Sequence, residues 1–221
     1  SVSDITLDLP LGCGYHMFKK HESQKIGISR EELTKHTFIT GSTGAGKSNT
    51  VYKLLDELSQ QGIKFLVIEP AKGEYKSVLG KRTNVTVFGT NTRIAGTELL
   101  RINPFRFSKH THVLEHMDRL VEIFNVCWPM YAAMPAILKD SIERAYIAAG
   151  WDLITSENKF DEPVYPNFSD VVFYVRQVLN ESDYSADNKG DYVGSLVTRL
   201  RSLTNGINGI IFAADDILDE E

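Results

Sequence analysis

The chain has 221 residues, enough for a large domain or for a domain with a helical appendage, and 42% are hydrophobic, which supplies a packed core and argues against wholesale disorder. A formal net charge of −5 excludes a strongly basic nucleic-acid-binding chain, so any contact with nucleic acid has to come from a local patch. The two cysteines, Cys13 and Cys127, are far apart in unrelated contexts. That is neither a disulfide framework nor a zinc site, and it fits a reducing cytosol. No apolar run approaches the length of a membrane span, and the acidic start SVSDITLDLP lacks the basic region of a signal peptide, so the expectation is a cytoplasmic chain without a membrane partner.

In chain order, residues 1–36 read as a lead-in segment, with turn signals at PLGCG and a short strand-like KIGIS. Residues 37–107 read as a βαβ nucleotide-binding part. HTFIT is a β-rich run that leads into GSTGAGKSNT. After it, Val51, Leu54, Leu55 and Leu58 fall at i, i+3, i+4 and i+7, one face of a helix, and Gly62 sits where a C′ glycine belongs. IKFLVIE is nearly continuously apolar, as in a parallel strand covered on both faces. NVTVF reads as a third short strand, and a turn-rich segment ends on LLRINPFRF.

Residues 108–206 read as a helical subdomain. VLEHMDRLVEIFNVCW places Leu114, Met117, Leu120, Val121 and Phe124 on one face, Pro129 and Pro135 bracket a break, and AILKDSIERAYIAAG is a second amphipathic helix closed by Gly150. Ser169 is the expected N-cap of DVVFYVRQVLN. A polar loop around ESDYSADNKGD precedes a last helix, YVGSLVTRLRSL. Residues 207–221 turn back toward the sheet.

The loop carries the chemistry. Gly41, Gly46, Lys47 and Ser48 fit G-x-x-x-x-G-K-[ST] in every fixed position. Glycines let the backbone curl until several N–H groups face one anion, and the helix that follows adds its own unpaired N–H groups and dipole. Lys47 is expected to reach the β- and γ-phosphates and to serve catalysis, and the Ser48 hydroxyl to take one position on a hydrated Mg²⁺. The expected ATP-binding set is Gly41, Ser42, Thr43, Gly44, Ala45, Gly46, Lys47, Ser48 and Asn49. The fold class is therefore α/β, a P-loop NTPase (RecA-like) core with a parallel sheet, joined to a helical subdomain. Such a sheet takes about five strands alternating with helices. Fewer are legible here, so the core reads as incomplete.

The carboxylate that would prepare a water has three candidate places. Glu69 closes IKFLVIE at the carboxyl end of a strand, where α/β sheets bind ligands, and Glu74 follows in AKGEY. The bland alternative has Glu69 capping the strand and pairing with Lys72. Asp215 ends IIFAADD, but two alanines interrupt that run and turn-rich TNGINGI precedes it, which favours a surface loop. The third place is outside this chain.

Other motifs are weaker. NKGD, residues 188–191, spells a guanine-selecting motif, yet its polar surroundings favour a solvated loop. His110, His112 and His116 lack a further ligand at metal-binding spacing, so surface roles are favoured. Arg199 and Arg201 are two apart and point to different faces. They read as helix surface charge, or as a contact to a neighbour's nucleotide or to a DNA phosphate.

GSTGAGKSNT, VIEPAKGEY, LRINPF, VLEHMDRLVEIFN through the proline-flanked break, and TRLRSLTNGINGIIF, in that order across residues 37–213, resemble the HerA-like ATPases of the HerA–FtsK group. The resemblance implies a hexameric ring that hydrolyses ATP with Mg²⁺ between subunits and moves duplex DNA through its hole. It implies a nuclease or other effector partner in DNA-end processing or defence against phage. It carries over Gly41–Ser48 as the ATP site and Glu69 as the acidic residue closing the second strand. It also implies Walker B carboxylates beyond residue 221, so that residues 1–221 alone would hydrolyse ATP weakly. Without the resemblance, two readings stay open: an NTPase of another class, such as a GTPase or kinase, and a nucleotide-binding scaffold without catalysis.

Overall fold

The computed structural model describes residues 8–71, 73–90 and 97–212. The chain divides into two compact units, Ser1–Val87 and Phe88–Glu221.

The first unit begins with an antiparallel hairpin, β1 (Leu9–His16) and β2 (Lys19–Ile28), which takes in the strand-like KIGIS. Register breaks between Pro10 and Gly12 and between Cys13 and Gly14 leave extra residues on the β2 side of the second break. The hairpin turns through Met17 and Phe18, whose φ values are 47° and 60°. A two-residue hairpin turn favours positive φ at both central positions, which is why Asn-Gly is its usual sequence. Bulky residues there cost roughly 1 kcal/mol or more each.

A capping box at Ser29 and Glu32 opens the short helix α1 (Arg30–Leu33). Helix α2 (Lys47–Gln60) follows the glycine-rich loop and ends at Gln61, with Gly62 at φ 68° in the expected C′ place. Its stripe packs as the periodicity dictates. Leu55 and Leu58 are buried with Leu9 and Leu79, and Val51, Leu54, Ile63, Phe65, Val67 and Tyr75 close around them. The next helix is α3 (Glu74–Leu79).

The flanking segments depart from the sequence expectation. Residues 37–40 and 63–69 form no strand pairing in the structure. In residues 63–69 burial alternates: Ile63, Phe65 and Val67 pack on the core, while Leu66 and Ile68 are 81% and 82% exposed. Phe38 is 88% exposed. The apolar run that reads as a strand covered on both faces is thus covered on one. All the described sheets are two-stranded, and the one parallel pairing joins β3 (Phe88–Gly89) to β4 (Glu98–Leu99). Of NVTVF, Phe88 alone enters a strand.

The second unit is mainly helical. Helices α4 (Val113–Cys127), α5 (Met134–Ala148) and α6 (Phe168–Glu181) share one core, α5 lying against both others. The buried face of α4 is Val113, Met117, Leu120 and Phe124. Leu114 falls on the solvent side, because the 4-3-4 spacing from Val113 sets the stripe about 100° from it. The proline-bracketed break ends at Met134, with Pro135 in the first turn of α5 where its missing N–H costs nothing.

The N-cap of α6 is Asn167, two residues before the expected Ser169. Asn167 Oδ1 accepts from the N–H groups of Ser169 and Asp170, and the Asp170 carboxylate accepts from Asn167 N–H, a closed box that Ser169 cannot make. A small hairpin, β5 (Trp151–Asp152) with β6 (Glu157–Asn158), joins α5 to α6.

NKGD lies inside α7 (Ala186–Tyr192), not in a loop, because Ser185 caps a helix start that the polar composition conceals. A π-helical turn, Val193–Val197, leads into α8 (Thr198–Ser202), and α9 (Gly206–Ile211) follows. The run containing Asp215 lies outside the described residues, as does Lys72.

The LRINPF stretch anchors this core. Asn103 is buried; its Nδ2 donates to Pro166 O at 3.0 Å and its Oδ1 accepts from Phe105 N–H at 3.0 Å. Phe105 is fully buried, edge-on to Phe168 at 5.0 Å, and its carbonyl accepts the buried Tyr146 hydroxyl. Burial pushes the Tyr146 phenol well above its ordinary value, so it stays a donor.

Candidate nucleotide site

Residues 41–46 are a turn-rich loop delivered to the start of α2. Gly44 and Gly46 hold φ values of 80° and 91°, a region that a side chain at Cβ disfavours. Ala45 N–H donates to Ser42 O at 3.2 Å, which closes the turn. Gly46 is the N-cap and offers no side-chain cap, and no acidic residue lies in the first turn of α2. The first N–H groups of a fourteen-residue helix, on Lys47, Ser48 and Asn49, are therefore left without a side-chain acceptor, facing a loop exposed to solvent. Uncapped N–H groups, a helix dipole and an adjacent ammonium form a donor set for an anion.

Lys47 Nζ donates to Gly41 O and Ser42 O, both at 2.8 Å. The ammonium thus folds back across the mouth of its own loop. These acceptors are neutral and exposed, so a phosphate oxygen can replace them with a net electrostatic gain.

The carboxylates sit beside α2. Glu69 accepts backbone N–H from Glu74 at 2.7 Å and from Tyr75 at 3.2 Å, one on each carboxylate oxygen. It thereby caps α3, whose own N-cap, Gly73, provides no side chain. Each oxygen keeps further lone-pair capacity for a water. Tyr75 meets Tyr52 of α2 edge-on at 5.1 Å. Burial, and then the Glu74, Tyr75 and Glu69 charges nearby, push the Tyr52 phenol up. The structure thus gathers Glu69, Glu74 and Tyr75 around one side chain of the helix that the loop opens. Tyr52 escapes a reading of the sequence because it lies off the apolar stripe, so periodicity gives no signal for it.

Elsewhere, His112 caps α4, its Nδ1 accepting from Leu114 N–H at 3.2 Å, and His116 Nε2 lies 3.0 Å from Pro104 O. Among the described residues no group of three or more His, Cys, Asp or Glu side chains is arranged to hold a metal ion. No helix among them is long and apolar enough to cross a membrane.

The fold is α/β, and a family match places the chain among ATPase motor domains. Residues 13–206 match the family described as "Helicase HerA, central domain", and the chain belongs to that family. The structure is similar to that of VirB4 of Thermoanaerobacter pseudethanolicus, with a TM-score of 0.65 at 19% identity. The likeness covers 96% of this chain and 54% of that one, so the chain spans about half the length of this relative. No curated protein matches the chain.

Proposed function

We propose that this chain is the ATP-binding motor part of a ring-forming DNA translocase. The observation that carries the reading is the glycine-rich loop opening onto the uncapped start of α2 with Lys47 at its mouth. In this reading Gly41 through Asn49 wrap the triphosphate, the α2 N–H groups and Lys47 bind its oxygens, and the Ser48 hydroxyl holds Mg²⁺. When bound, Mg²⁺ would supply neutralisation of phosphate charge. Lys47 serves catalysis by holding charge that grows in the transition state. Glu69, fixed by two backbone N–H groups, is the candidate for orienting the attacking water, with Glu74 next to it.

The exposed apolar faces at Phe38, Leu66 and Ile68 support a further step: residues 37–40 and 63–69 are strands of a RecA-like parallel core, paired and covered in the working protein. The net charge of −5 makes a monomer a poor ligand for duplex DNA. A hexameric ring brings modest local charge from every subunit to one channel, and this is the arrangement proposed, with a nuclease or other effector as partner, in the cytoplasm.

Calorimetry with Mg²⁺-ATP and Mg²⁺-GTP tests the site. Tighter ATP binding is expected, since NKGD is helical and distant in sequence from the loop. Equal or tighter GTP binding would overturn the assignment.

A further inference from the structure

The β1–β2 hairpin is unexplained by the nucleotide site. Its tip places two large apolar side chains where the turn geometry favours Asn and Gly. Met17 is 78% exposed and Phe18 94% exposed, both at positive φ. Residues held in strained backbone cluster at binding and switch sites. The shoulders of the tip are basic: His16 pairs with Lys19 and Tyr15 with Lys20 across the hairpin, and His21 follows. Below the tip an open groove of about 580 Å³ is lined by Tyr15, Lys20, Glu22, Lys25 and Lys53, the last from α2. The lining carries Lys20, Lys25 and Lys53 against Glu22, and Glu57 of α2 pairs with Lys53, which leaves Lys25 as the lysine in excess within a chain that is acidic overall. The Lys20–Glu22 and Lys53–Glu57 pairs are at least partly open to solvent, so those ammonium groups can exchange partners.

We infer that this hairpin docks an unpaired nucleic-acid strand, the phosphates lying along Lys20, Lys25 and Lys53 while Phe18, Met17 and Tyr15 stack on or wedge between bases. Basic grooves interleaved with aromatic rings bind single strands in this way, and apolar wedges at base steps are a recurrent device. An anionic membrane is disfavoured. A tip of one Phe and one Met buries too little to anchor a chain stably on it. The inference deepens the DNA-handling reading above and rests on it for its choice of polyanion.

The test compares the wild-type protein with Met17→Asn/Phe18→Gly by fluorescence anisotropy on a labelled single-stranded oligonucleotide. Asn-Gly suits the turn, so the variant is expected to melt at a higher temperature while its affinity falls about tenfold. ATP hydrolysis without DNA is expected to stay unchanged. A second variant, Lys20→Ala/Lys25→Ala, is expected to reduce the slope of log affinity against log salt by about 1.4. Unchanged oligonucleotide affinity in the tip variant, or an unchanged slope in the lysine variant, overturns the inference. So does a wild-type protein that ignores the oligonucleotide but binds phosphatidylcholine–phosphatidylserine vesicles through the tip. Failure of the motor reading shows elsewhere, as wild-type protein without Mg²⁺-ATP turnover.

Discussion

Replacing Lys47 with alanine is expected to remove most Mg²⁺-ATP affinity and all ATP-dependent activity while leaving the fold intact. The ammonium is the one cation of the loop, and in the structure it rests on two loop carbonyls at 2.8 Å. Charge-assisted contacts to phosphate are worth roughly 1.5–3 kcal/mol each, so affinity should drop at least tenfold. Hydrolysis should be lost outright, a fall of at least about 10²–10³-fold, because the same charge is needed more in the transition state than in the ground state. The two carbonyls it leaves are exposed and rehydrate, so the melting temperature should move by no more than about 2 °C. Calorimetry and thermal melting on the same preparation check both halves. Unchanged ATP binding would remove the loop from the account, and a collapsed melting temperature would make Lys47 a structural residue.

The second large effect is expected at Phe105, in the second unit. Phe105→Ala should destabilise that unit by about 3–5 kcal/mol, because a fully buried ring in edge contact with Phe168 and Tyr146 leaves a cavity that rigid helices cannot close. Phe105→Leu retains most of the volume and should cost less than about 2 kcal/mol. Urea unfolding followed by the second unit's fluorescence measures both. A loss below about 1 kcal/mol for the alanine variant would mean that LRINPF is not the anchor the packing indicates.

Local chemistry decided what could be read from the sequence. The phosphate-loop pattern and the Val51, Leu54, Leu55, Leu58 stripe located α2 and its C′ glycine, because capping and 3.6-residue periodicity are contained within a few residues. The helical block was legible for the same reason. The structure departs from the sequence expectation where partners are distant. IKFLVIE has the composition of a buried strand, but strand pairing belongs to neighbours and not to the run itself, and in the structure its Leu66 and Ile68 face is bare. Ser169 and Asn167 are both competent caps, and the reciprocal bond from Asp170 selects Asn167. NKGD reads as a loop because polar composition conceals a helix that Ser185 caps and that Tyr192 anchors in the core. The setting of Glu69 was half legible. Its place after the apolar run was clear, but its two backbone donors arise from α3 folding back, which no spacing encodes.

The loop is proposed to couple ATP hydrolysis to DNA. The most direct measurement is Mg²⁺-ATP turnover by the assembled full-length protein, with and without long duplex DNA, since residues 1–221 alone are expected to hydrolyse ATP weakly. Turnover on the order of 1 s⁻¹ or faster is expected, rising several-fold with duplex and disappearing in Lys47→Ala. Turnover indifferent to DNA, or no turnover by an assembled ring that still binds ATP, would contradict this coupling and leave a nucleotide-held scaffold in its place.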